Sequence, residues 1–85
     1  MSKKEKLIKR ILTLPKDFTY SELIAVFKIC GFTEDNKGKT SGSRVRFYNN
    51  EKKLGYMMHK PHPGSIVMGN ALKNALEFLT TNKLI

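Results

Sequence analysis

The stretch His59-Lys60-Pro61-His62-Pro63-Gly64 holds both histidines of the chain. Imidazole titrates near pH ~6.5, so it can give or take a proton at neutral pH. RNA can be cleaved without a metal when three needs are met. One group takes the proton of a 2′-OH, a second protonates the departing 5′-oxygen, and a cation steadies the crowded phosphate. His59 and His62 are therefore the candidate catalytic residues, with Lys60, Arg44 or Arg46 as the cation. The plainer reading makes one histidine a strand-end surface residue and the other part of a turn. Zinc fits badly, because neither a CxxC pair nor a carboxylate cluster accompanies the histidines. No metal or other cofactor is expected.

A second stretch, Asn36 to Phe47 (NKGKTSGSRVRF), has the composition of a phosphate binder. It carries four basic residues, two glycines, three hydroxyl side chains and no acid. Its Gly-Lys-Thr is not a P-loop. That motif needs a glycine at position 33, where this chain has threonine, and a helix where this chain alternates Arg44, Val45, Arg46 and Phe47. Close approach to a sugar-phosphate backbone is the functional reading, and a solvated hairpin loop the ordinary one. The candidate RNA-binding residues are Lys37, Lys39, Ser41, Ser43, Arg44, Arg46 and Lys60.

Composition narrows the partners. The chain has 85 residues and a formal net charge of +9, an excess that speaks about partners rather than fold. Nucleic acid, an acidic protein or an anionic surface would each answer it. No apolar run approaches the ~18 residues of a membrane span, and the first residues lack the apolar stretch of a signal peptide. Cys30 is the single cysteine, so an internal disulfide is impossible. Together these lead us to expect a cytoplasmic protein with no membrane partner. Cys30 sits on an apolar helical face, as a core residue rather than a nucleophile.

The elements that must position these residues follow from periodicity. Residues 1–14 predict a basic helix, with Leu7, Ile8, Ile11 and Leu12 on one face and Pro15 ending it. Its lysines would touch phosphates or simply cover an amphipathic surface helix. Thr19 stands three before Glu22, a capping box, with Phe18 and Leu23 placed for a hydrophobic staple. Leu23, Ile24, Phe27 and Cys30 predict that helix's buried stripe, and Gly31 its stop. Strands are expected over 32–37, 43–49 and 54–61, the last two joined as a hairpin across Asn49 to Lys53. A closing helix carries Leu72, Ala75, Leu76 and Leu79 at helical spacing. The whole is expected to be one α+β domain, residues 1–85, with its core in 19–85. A three-stranded antiparallel sheet would carry helices on one face. If Val45 and Phe47 face those helices, then Arg44, Arg46 and Tyr48 form an outward basic-aromatic row suited to RNA. In Leu54–His59 both faces carry large apolar groups, and alternation does not decide between them.

Three features together resemble the HicA family of bacterial toxins. A helix ends in Cys30-Gly31-Phe32. A Lys-Gly segment leads into SGSRVRF, similar to the family's glycine-serine strand start. HKPHPG precedes a small-residue helix, GNALKNALEFL, similar to the family's His-Pro element and closing helix. The likeness runs from about Tyr20 to Ile85. It implies a double-stranded-RNA-binding-like fold with an extra N-terminal helix. It implies a metal-independent mRNA-cleaving endoribonuclease that blocks translation as the toxin of a type II toxin-antitoxin system, and a HicB-type antitoxin covering its active surface. The family's catalytic histidine directly follows the glycine-serine pair, where this chain has Arg44. Arginine stays protonated and cannot be the base. His62 corresponds to the family's His-Pro histidine, and His59 is additional. Either His59 or His62 takes over catalysis, or the chain is an RNA-binding module that does not cut. A third reading, from charge alone, is an interaction protein for an acidic partner.

Overall fold

The computed structural model describes residues 3–35, 44–59 and 65–85. The elements run α1 (Lys3–Leu12), α2 (Tyr20–Ile29), β1 (Thr33–Asp35), β2 (Arg44–Asn49), β3 (Leu54–His59) and α3 (Gly69–Thr81). The three strands form one antiparallel sheet in the order β1-β2-β3. The fold is α+β in the expected layout.

Helix α2 is fixed at both ends by local chemistry. The Thr19 hydroxyl accepts from the Glu22 backbone N–H, and the Glu22 carboxylate accepts from the Thr19 N–H at 2.8 Å, a complete capping box. At the other end Gly31 takes φ +91°. Its N–H reaches Lys28 O, and the Phe32 N–H reaches Phe27 O. This is a Schellman stop, with its usual contact supplied by Phe32 edge-on to Phe27 at 5.4 Å. A Cβ on Gly31 would stand 2.9 Å from Asn49 Nδ2, so side-chain space as well as φ requires glycine.

The buried face of α2 is Tyr20, Leu23, Val26 and Phe27, while Ile24 and Cys30 are only half-buried. The buried face is thus turned toward Tyr20 and Val26 relative to the expected stripe, with Leu23 and Phe27 common to both. Phe27 stacks on Phe47 of β2 at 4.3 Å and lies 5.6 Å from Tyr56 of β3. Phe78 of α3 closes on Tyr56 at 4.8 Å and on Phe32 at 5.8 Å. Both α2 and α3 thus cover the same sheet face. Leu72, Ala75 and Leu79 are buried beneath α3, and Leu76 is half-buried against the core.

Helix α1 buries Ile11 alone, and Leu12 is 49% exposed instead of joining the core. The helix also stops before Pro15. Leu14, the residue ahead of the proline, takes φ +50°, and Thr13 Oγ1 donates to Arg10 O. The α conformation is disfavoured just before proline, so the end falls ahead of the ring. Arg10 then ties α1 to α2. Its Nε donates to Glu22 Oε2 at 3.0 Å, its Nη2 to Asp17 Oδ1 at 2.8 Å, and it lies over the Phe18 ring. The remaining link, residues 65–67, bonds back to Phe18 and Tyr20 through an isolated bridge at Thr19 and Ile66.

Candidate nucleic-acid interface

Strand β2 alternates strictly. Val45, Phe47 and Asn49 are buried, while Arg44 and Arg46 are exposed and Tyr48 half-buried. The arginine-aromatic row therefore faces away from the helices. Strand β3, undecided in sequence, turns Tyr56 and Met58 toward the core and leaves Met57 and His59 exposed. Long-range packing makes the choice. Tyr56 pairs with Phe47 in register and sits between Phe27 and Phe78. A slip of one residue would expose Tyr56 and bury His59.

The register also sets Arg44 directly opposite His59. Opposed side chains on one sheet face start about 4.5–5.5 Å apart at Cβ, within reach of one phosphate group. A shallow hollow of about 210 Å³ lies here, lined by Arg44, Met57, Met58 and His59. It offers a permanent cation, an ionisable imidazole and an apolar floor. Next along the strand, Arg46 lays its guanidinium 4.6 Å from the centroid of the Tyr48 ring. A Cβ on Gly55, across on β3, would stand 3.4–3.6 Å from Tyr48 Cδ1 and the Arg46 Nε and Nη2 atoms.

The structure thus brings together Arg44, Arg46 and His59 among the candidates. His62, Lys37, Lys39, Ser41, Ser43 and Lys60 lie outside the described residues. Met57 and Gly55 belong to this face but were not singled out from sequence. Glycine inside a strand signals close approach of a neighbouring group, and that is the signal at Gly55.

Other ionisable groups serve the scaffold. The Tyr20 hydroxyl donates to Glu34 Oε2, and burial, with that bond, pushes its pKa far above the ordinary phenol value. Burial alone pushes the Cys30 thiol up, so little thiolate forms at neutral pH. Among the described residues no group of three or more His, Cys, Asp or Glu is arranged to hold a metal, and no helix is long and apolar enough to cross a membrane.

Compared with protein-family models, curated proteins and solved structures, the chain matches none.

Proposed function

We propose that the protein is an RNA-cleaving toxin of the HicA type, on a double-stranded-RNA-binding-like scaffold, working in the cytoplasm and restrained by a HicB-type antitoxin. The observation that carries the reading is the pairing of Arg44 with His59 on an exposed sheet face that also bears Arg46 and Tyr48. The HicA resemblance of the sequence points the same way.

The chemistry is transphosphorylation. His59 takes the proton of a 2′-OH as that oxygen bonds to the adjacent phosphorus. The bond from phosphorus to the 5′-oxygen breaks, and that oxygen leaves protonated, with His62 as the candidate acid. The products are a 2′,3′-cyclic phosphate and a 5′-hydroxyl. Arg44 serves by staying charged. Its fork meets the extra negative charge on the phosphate oxygens in the transition state. A lost histidine at position 44 is then offset by one on the facing strand.

Induced expression tests this. Growth arrest with loss of mRNA, relieved by a folded His59→Ala variant, is the expected result. A second reading, RNA binding without cleavage, is favoured by Arg44 standing at the family's catalytic position. Intact RNA and normal growth, with soluble, folded wild-type protein that retards RNA in a salt-dependent way, would support it in place of the first.

A further inference from the structure

Proton transfer uses one end of the exposed sheet face and leaves the other unexplained. Arg46 and Tyr48 are stacked there over the one position of β3 that has no side chain, Gly55. Gly55 pairs with Tyr48 in register, and the exposed Met57 pairs with Arg46. A Cβ at 55 would already be in van der Waals contact with the Tyr48 ring and the guanidinium, so a branched side chain there would push on the stack. With glycine there, the guanidinium rests on the Tyr48 ring and borders Gly55. Arg46 remains exposed, two residues along the strand from Arg44, a distance of roughly 7 Å.

We infer that Arg46, Tyr48, Gly55 and Met57 form a stacking subsite for one unpaired nucleobase, next to the phosphate held between Arg44 and His59. The inference rests on the RNA reading above and adds which RNA: a single strand, gripped by a base as well as by its backbone. Guanidinium planes and aromatic rings are the surfaces on which splayed bases stack, and the thioether of Met57 extends the platform with a polarizable, apolar edge. In a duplex those base faces are covered by neighbouring pairs, so such a platform has nothing to grip. Arg44 pairs with His59 at the hollow, whereas the Arg46 guanidinium lies over the Tyr48 ring. Of the two arginines, Arg44 is the better phosphate cation, and Arg46 the better flat surface. The subsite also suits the reaction. In-line attack requires the nucleotides around the scissile phosphate to leave helical stacking, and a seat for one base holds them apart.

The test uses RNA that cannot be cut, a 2′-O-methyl decamer. Three forms are compared: the single strand, the same strand with one abasic position moved along it, and the annealed duplex. Binding is followed by fluorescence anisotropy at several salt concentrations, with folding checked by circular dichroism. Wild type should prefer the single strand to the duplex by about tenfold, and one abasic position should weaken binding about tenfold. Arg46→Lys keeps the charge and loses the plane. It should cost about tenfold on the intact strand with the salt slope unchanged, and it should no longer sense the abasic position. Gly55→Val wedges the stack from beneath and should repeat that pattern. Equal binding of every abasic strand by wild type overturns the subsite while leaving RNA binding intact. So does wild-type affinity in folded Arg46→Lys. Failure of folded wild type to bind RNA in any form overturns the subsite together with the reading it rests on.

Discussion

At the scale of single residues, the useful distinction is between a group that moves a proton and one that holds charge. Arg44 and His59 face each other, so loss of either one leaves the other in place. Arg44→Ala removes a transition-state contact and only one of several cations. Single-turnover cleavage of end-labelled RNA should therefore slow by about 100-fold, with a much smaller change in affinity. An equal loss in affinity and no loss in rate would make Arg44 a binding residue only. His59→Ala should abolish the cyclic phosphate product while RNA affinity stays within about threefold. These residues were legible in the sequence because their types are rare there: two histidines, and two arginines alternating with apolar neighbours. Their convergence was not legible, since Arg44 and His59 are joined by register and not by spacing. Gly55 and Met57 were missed for the same reason. Their part in the face exists only once Tyr48 and Arg46 lie across from them.

Secondary-structure elements follow a different rule, because their ends are written locally. The capping box at Thr19 and the stop at Gly31 could be read from a few adjacent residues, and both are present. Gly31→Ala should cost about 1–3 kcal/mol in denaturant unfolding, since it strains a left-handed backbone and pushes on Asn49. Asn49 resists, because its amide donates to Cys30 O and its carbonyl accepts from the Lys52 N–H. Glu22 predicts a pH dependence. Desolvation raises its pKa, but the Thr19 N–H and the Arg10 guanidinium together outweigh that and hold it below the usual carboxylate value. A carboxylate lowered in the folded state adds stability above its unfolded pKa, near 4.5, and loses it as pH falls through the folded one. Stability should therefore decline on acidification below pH ~4.5, and Glu22→Gln should flatten part of that limb while lowering stability at pH 7. An unchanged acid limb in the variant would show that other carboxylates carry it. What local reading could not supply was β3. Tyr56, Met57 and Met58 put a large side chain on both faces, and only the aromatic cluster formed by Phe27, Phe47 and Phe78 selects which of them turns inward.

For the whole molecule, charge and topology act together. The sheet spends one face on the core, with Val45, Phe47, Tyr56 and Met58 packed under the helices, and presents Arg44, Arg46, Met57 and His59 on the other. Not all of the excess positive charge is available to a ligand. Arg10 is engaged by Glu22 and Asp17 and works as a clasp between α1 and α2, not as a phosphate contact. Of the other cations, Lys37, Lys39, Arg44 and Lys60 are proposed to meet phosphates, with Arg46 given to the base. For single strands, log affinity falls with log salt by about 0.7 for each neutralised phosphate. If these four engage, the slope should be about −2.8. Replacing Arg44 by alanine should reduce it by about 0.7, whereas Arg10→Ala should lower thermal stability and leave the slope alone. A slope near zero in folded wild type would mean that the charge serves something other than nucleic acid. Tight, stoichiometric binding of an acidic protein in that case would make the open sheet face a protein interface. A slope near −2.8 with RNA left intact by folded wild-type protein would instead separate binding from cleavage. The sheet face would then be an electrostatic surface alone, with His59 across from Arg44 too poorly aligned to act as a base.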